Sequence, residues 1–276
     1  GFFNKAMSMI KTECPSKLNL FLKVGSKRND GYHEIETSFQ LIDLSDQMTF
    51  EICDTDIVIE SDKELLRGTN NTIYKSAEKL KKMFNVSDGA KINIKKNIPL
   101  GAGLGGGSSN AATTIVALNK LWNLSLEKKD MFDIAKNIGA DVPLFIYGKN
   151  SIGKGIGEKL EFTESIEENL LLICPDIQNS TKEMFDELDI LRIKNKLSVN
   201  SDQNDFWDAY ISRSKQVEEF YNSYSQDYEL NLSGSGSCIY LRFNKKNEID
   251  KILKKIPTNW RLFFCKPLQY SPICYI

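Results

Sequence analysis

Between Gly101 and Gly107 five of seven residues are glycine (Gly101, Gly103, Gly105, Gly106 and Gly107), and the run continues as Ser108-Ser109-Asn110. A backbone without side chains can take positive φ and come close to a ligand. Tight turns seldom need so many glycines backed by hydroxyls, so the stretch points to a phosphate held by main-chain N–H groups at the start of a helix. Two charged side chains elsewhere are candidates to act on such a phosphate. Asp141 stands between Ala140 and Val142, directly ahead of the apolar run Pro143-Leu144-Phe145, and Lys17 shares a strand face with Asn19. Phosphoryl transfer to an alcohol needs the polyphosphate held, its charge offset and the hydroxyl placed near a base, for which a glycine loop, a lysine and an aspartate suffice. Plainer roles exist for both: Asp141 as a turn or N-cap acid, Lys17 as a solvated edge-strand lysine.

The type of phosphate loop can be narrowed by what surrounds it. A P-loop closes on Gly-Lys followed by Ser or Thr, whereas Gly106 is followed by Gly107 and no lysine enters the loop. Gly101 to Gly106 satisfies G-x-G-x-x-G, but a dinucleotide unit wants a second strand ending in an acid about 20 residues on. Here the helix is followed by Ser125 to Asp130, which opens another helix. A protein kinase would carry His-Arg-Asp and Asp-Phe-Gly; the chain has one histidine, His33, and it precedes Glu34.

Elements must hold these residues in place. Lys91 to Ile98 alternates like a half-buried strand that Pro99 ends, and Ser108, Ser109 and Asn110 offer N-cap oxygens to a helix whose buried face is Ala112, Ile115, Val116, Leu118, Leu121 and Trp122. Ile10 to Val24 reads as strand interrupted by Pro15, with Leu18, Leu20, Leu22 and Val24 opposite Asn19, Phe21 and Lys23. The turn-rich loop Gly25 to Gly31 delivers Tyr32 and His33 onto a strand from Glu34 to Leu44. Met48–Ile52 and Ile57–Ile59 are further strands; Asn70-Asn71-Thr72 caps a helix through Phe84; Leu126–Ile138 is a helix. Ser151 to Glu158 is a glycine-punctuated strand and turn. Leu170–Cys174 fits a central strand, Asn179 starts a helix through Phe185, Asp189–Asn204 is polar and lysine-rich and reads as loop with short helix, and Asn204–Trp207 opens another helix. Leu232-Ser233-Gly234-Ser235-Gly236 is a second glycine motif, equally a flexible turn or a ligand loop. Asn247–Ile256 is a helix and Trp260–Cys265 a strand. No repeat or low-complexity tract interrupts this order.

Composition excludes several classes. The 276 residues suit one large or two ordinary domains. With 36 basic and 37 acidic residues the net charge is −1, so no basic field speaks for nucleic acid or membrane. The six cysteines are scattered without C-x-x-C and read as reduced packing residues, and one histidine makes zinc improbable. Gly1 to Ile10 lacks a signal-peptide core and no apolar run approaches the roughly 18 residues of a membrane span. The expectation is a cytoplasmic protein, or a plastid-type one if a targeting segment has been removed.

Pro99 followed by Gly103-Leu104-Gly105-Gly106-Gly107-Ser108-Ser109 resembles the central motif of the GHMP kinases. Pro15-Ser16-Lys17-Leu18-Asn19-Leu20, Gly139-Ala140-Asp141-Val142-Pro143 and Leu232 to Gly236 occur in that family's order and cover most of the chain. Asp30-Gly31-Tyr32-His33 is similar to the segment of the branch that phosphorylates a cytidine diphosphate sugar alcohol in the non-mevalonate isoprenoid route. The resemblance implies an α+β, two-domain GHMP kinase fold: residues 1–163 as a ribosomal-protein-S5-domain-2-like mixed sheet with helices that binds ATP, residues 164–276 as a ferredoxin-like sandwich, and the active-site cleft between them. It implies Asp141 as base and Lys17 as its catalytic partner, with Asn19, Tyr32, His33, Thr181 and Phe185 on the substrate. Tyr32 would stack on the cytosine opposite Phe185, His33 would bond its edge, and Asn19 would take the sugar-alcohol hydroxyls. Phe185 has the plainer role of a core aromatic on a helix. ATP would be held by Pro99, Leu100, Gly101, Ala102, Gly103, Leu104, Gly105, Gly106, Gly107, Ser108, Ser109 and Asn110, with Lys96 and Asn71, and Mg2+ by Ser108 or Ser109. The implied partners are these small molecules, in a monomer or weak homodimer. Ser16 and Ala102 depart from the family's usual residues without removing a named contact. Two rivals stay open: another small-alcohol kinase, such as one for homoserine or mevalonate, and a silent ATP-binding relative.

Overall fold

The computed structural model describes residues 9–199 and 201–276, so the reading of the segment before Met9 lies outside the described residues. In chain order the elements are β1 Ile10–Lys27, β2 His33–Cys53, β3 Ile57–Ser61, α1 Glu64–Arg67, α2 Thr72–Met83, β4 Gly89–Lys95, α3 Gly106–Leu121, α4 Lys128–Lys136, α5 Val142–Tyr147, β5 Ser151–Lys154, β6 Lys159–Phe162, β7 Asn169–Cys174, α6 Thr181–Ile193, α7 Trp207–Arg213, α8 Lys215–Tyr224, β8 Asn231–Leu232, β9 Ile239–Phe243, α9 Asp250–Leu253 and β10 Arg261–Cys265. They form a six-stranded mixed sheet, β3-β4-β2-β5-β6 with β1 also on β2, and a four-stranded sheet in the order β10-β7-β9-β8. Only β3 and β4 run parallel; the second sheet is antiparallel with the strand order of a ferredoxin-like sandwich.

β1 connects the two halves. Ile10 and Cys14 belong to the core of the first sheet, Leu18 to a layer shared by both sheets, and Leu22 and Val24 to the core of the second. A single long strand can do this because bulges re-aim it. Pro15 does not interrupt the strand, as its sequence suggested: it pairs with Ser45, and a shift between Pro15 and Ser16 absorbs the missing N–H. A second shift between Asn19 and Phe21 breaks the leucine alternation. From Cys14 to Asn19 both faces are therefore buried, Lys17 and Asn19 included.

The second sheet obeys a period of two with unusual regularity. Leu171 and Ile173 of β7 and Ile239, Leu241 and Phe243 of β9 face the core under the helices. Leu170, Leu172 and Cys174, with Cys238 and Tyr240, face the layer that holds Ile98, Ala102 and Leu104 of the glycine run. The continuous apolar run at 170–174 thus marks a strand covered on both sides.

The short helix within 189–204 is the end of α6, which continues to Ile193 because Leu188 and Leu191 extend its buried stripe. Two local expectations are corrected. The helix expected at 247–256 is a 3-10 turn followed by the four-residue α9. The N-cap of α3 is Gly105 in the left-handed region, and Ser108, Ser109 and Asn110 lie within the helix, since it begins three residues before the earliest of those caps would place it. Among the described residues, no helix is long and apolar enough to cross a membrane.

After β10 the chain returns to the first sheet. Leu268 N–H donates to the Leu41 carbonyl, Ser271 N–H to that of Gly148, and Asn150 clamps both Leu41 and Leu268. Ile273 is 2% exposed inside the first core. Ile273→Ala should therefore destabilise the whole chain by about 2–5 kcal/mol in denaturant titrations, as a core truncation does and a surface one does not.

Candidate active site

The glycine run lies folded against the second glycine motif rather than standing as an open loop. Ser233 Oγ donates to the Gly103 carbonyl at 2.8 Å, and Cys238 N–H to that of Ala102 at 3.0 Å. Gly103 has φ +76°, and a Cβ there would run into the Ser233 carbonyl oxygen. Gly105, at φ +71°, brings the backbone to 3.0 Å from the Phe145 ring and 3.1 Å from Lys17 Cγ, measured from where a Cβ would sit. Lys17 N–H in turn donates to the Leu104 carbonyl at 2.9 Å. The segment 233–237 is thus a built contact of the first loop, not a flexible turn.

With a glycine at its N-cap, α3 receives no side-chain cap, so its leading N–H groups are left for a ligand. Behind them Lys96 supplies a buried cation: a Cβ on Gly106 would lie 2.9 Å from its Nζ. Asp46 holds that cation. Its carboxylate is 0% exposed, receives Lys96 Nζ at 2.5 Å, Asn110 Nδ2 at 3.0 Å, and the N–H groups of Asn97 and Ile98 at 2.7 and 2.9 Å. Lys96 also reaches Asn110 Oδ1 at 3.2 Å. Asp46 escaped the sequence reading, although it sits in step with Met48 and Phe50 on an apolar strand face, where an acid needs a partner.

Across the cleft, Lys17 Nζ donates to Asn19 Oδ1 at 2.5 Å and stands 3.8 Å from Asp141, while Asn19 Nδ2 donates to Thr37 Oγ1 at 2.8 Å. Burial lowers the Lys17 ammonium below the ordinary lysine range, with the Asp141 carboxylate pulling the other way. Lys17 is therefore no edge lysine. Asp141 occupies the N-cap position of α5 but makes no capping bond. Its carboxylate stays about one-third exposed to the cleft.

These parts surround one cleft of 420 Å³, lined by Lys17, Asn19, Lys96, Pro99 through Ser108, Asp141, Thr181 and Phe185. Ser108 faces it; Ser109 is buried with an unpartnered hydroxyl. Asn71 and Asn110 are not on its wall. Asn71 caps α2, accepting from Tyr74 N–H and donating to the Leu66 and Gly68 carbonyls, and Thr72 beside it lines the cleft. Tyr32 is 58% exposed and His33 buried, and neither lines the cleft directly. Phe185 stacks on His33 with centroids 4.7 Å apart and meets Phe206 edge-on. Asp189, which sequence reasoning passed over, bonds His33 Nε2; its signal was the helical spacing from Phe185.

Comparison with known proteins agrees with this architecture. Residues 71–149 match the GHMP kinases N terminal domain family. The chain is 38% identical over 92% of its length to the 4-diphosphocytidyl-2-C-methyl-D-erythritol kinase of Francisella tularensis subsp. holarctica, covering 95% of that protein. It is 35% identical over 94% of its length to the protein of the same name from Pasteurella multocida, covering 90% of it. A crystal structure of 4-(cytidine 5'-diphospho)-2C-methyl-D-erythritol kinase superposes with a TM-score of 0.75 at 23% identity, over 94% of this chain and 99% of that one. Homoserine kinase from Cytophaga hutchinsonii superposes at 0.70 with 17% identity, over 98% of each chain, a likeness of fold.

Asp46→Ala should leave the Lys96 ammonium buried without its partner and cost about 3–5 kcal/mol of stability by chemical denaturation. The same variant should loosen the loop and raise the KM for a nucleoside triphosphate.

Proposed function

The chain belongs to the 4-diphosphocytidyl-2-C-methyl-D-erythritol kinase family of GHMP kinases, and from that membership we propose that its cleft transfers the γ-phosphoryl group of ATP to the 2-hydroxyl of 4-diphosphocytidyl-2-C-methyl-D-erythritol. The products are the 2-phosphate and ADP, in the non-mevalonate route to isoprenoid precursors. The observation that carries the reading is Asp141: among the described residues it is the one carboxylate on the cleft wall, it caps nothing, and it faces a buried lysine.

Each part has a task. The uncapped N–H groups of α3 and the Lys96 ammonium hold and neutralise the triphosphate, with the bare backbone of Gly101 to Gly107 letting it approach. Thr72, and Asn71 through the α2 cap, shape the adenosine side. Asp141 accepts the proton of the attacking hydroxyl. Lys17 faces that carboxylate and orients the alcohol together with Asn19, whose amide Thr37 fixes. Thr181, Phe185, His33 and the exposed Tyr32 form the side where a cytosine is recognised, through ring faces and a hydrogen-bonding edge.

Mg2+ fits this wall in one way. No group of three or more His, Cys, Asp or Glu side chains able to hold a metal occurs among the described residues. The ion would therefore come with the nucleotide phosphates, meeting the Ser108 hydroxyl, and would offset phosphate charge.

Asp141→Asn should lower kcat roughly 10²- to 10⁴-fold while the Kd for ATP is retained; unchanged turnover in a coupled ADP-release assay refutes the assignment. Turnover of homoserine or mevalonate in place of the cytidine compound would refute the substrate. Because burial lowers the pKa of Lys17, its protonated fraction falls as pH rises through a value below the 10.5 of an ordinary lysine. The kcat profile should accordingly show an alkaline decline below that pH, and whatever activity Lys17→Arg retains should lack it, since guanidinium keeps its proton.

A further inference from the structure

We propose that Asp189 is a positioning residue: it fixes the proton of His33 on Nε2, which makes Nδ1 a hydrogen-bond acceptor that selects a pyrimidine bearing an exocyclic amino group. The inference rests on the reading of this cleft as a cytidine diphosphate site and adds the atom by which the base is chosen.

Both Asp189 oxygens lie on His33 Nε2, at 2.9 and 3.0 Å. An ionised carboxylate only accepts, so Nε2 carries the hydrogen, and in a neutral imidazole the other nitrogen is then an acceptor. The ring is held in that setting. Phe185 covers one face at an interplanar angle of 16°, and Phe206 buttresses Phe185 at 78°. Phe185 and Asp189 are four residues apart on α6, so one helix face presents both a stacking ring and a carboxylate to the same imidazole. Nδ1 is different. No described residue hydrogen-bonds it, and Phe185, the ring stacked on this imidazole, lines the cleft.

A fixed acceptor at this point separates the two common pyrimidines. Cytosine presents its N4 amino donor there, whereas uracil presents the O4 acceptor, which would set lone pair against lone pair. A histidine free to move its proton would accommodate either base. With Asp189 in place it accommodates one.

Because the chain has one histidine, its tautomer can be read from a single ring in long-range ¹H–¹⁵N correlation spectra of the ¹⁵N-labelled protein at pH 8. The expected result is a neutral ring protonated on Nε2. Steady-state KM values for the cytidine substrate and its uridine counterpart then test the consequence. Asp189→Ala should lower the cytidine preference about five- to hundredfold, the cost of one buried donor or acceptor left unsatisfied, while the KM for ATP holds. The proton on Nδ1, or on both nitrogens at that pH, overturns the inference, as does an Asp189→Ala protein with the parental preference. Parent protein that uses both pyrimidines equally overturns the cytidine reading as well, whereas a cytidine preference with the proton on Nδ1 overturns the tautomer inference alone.

Discussion

The contact between the two glycine turns is the constraint from which the rest of the site follows. Main chain lies on main chain at Gly103 and Ser233, closer than any side chain permits, and the hydroxyl of Ser233 closes on the carbonyl of Gly103. That contact welds the glycine loop of the first sheet to the second sheet. Asn204 reinforces it from behind, donating to the Leu232 and Gly234 carbonyls. The loop is thus preorganised by partners on both sides, so its N–H groups need little reordering when an anion arrives.

The same junction explains why a lysine can be kept at 3% exposure. Lys17 sits where β1 passes from one core to the other, with its main chain bonded to the loop and its ammonium resting on Asn19, near Asp141. Burying a charge is costly, and the nearby carboxylate and amide offset only part of it. The energy comes from the surrounding layer, where Leu18, Leu104, Leu172 and Tyr240 are almost wholly buried. Tyr240 does double duty: its hydroxyl donates to the Asn19 carbonyl at 2.7 Å and so holds the strand that carries both polar side chains.

Much of this could be read from residue order, and the part that could not has a common physical origin. Glycine spacing announced the loop, a continuous apolar run announced β7, and the place of Asp141 between small and apolar neighbours marked it as a candidate acid. What stayed hidden were the residues whose role exists only once strands are paired. Asp46 meets Lys96 and Asn110 from β2, 50 and 64 positions away, and Asp189 meets His33 across 156. Periodicity reports which face a residue is on but not what faces it. The helix start was misplaced for a related reason: hydroxyl residues favour N-caps, yet here a left-handed glycine takes the cap and leaves the serines inside, one towards the cleft and one away from it.

The return of the chain after β10 gives the molecule a particular assembly order. The second sheet is, in effect, an insertion between β6 and the segment that carries Ile273, and the first core stays unfilled until that segment arrives. During synthesis the amino-terminal half therefore cannot mature ahead of the carboxyl-terminal half, as successive modules often do. Contacts of such wide separation make the docking of the last dozen residues a late event, and until then Ile146, which lines one hollow with Ile273, Cys274 and Ile276, stays uncovered.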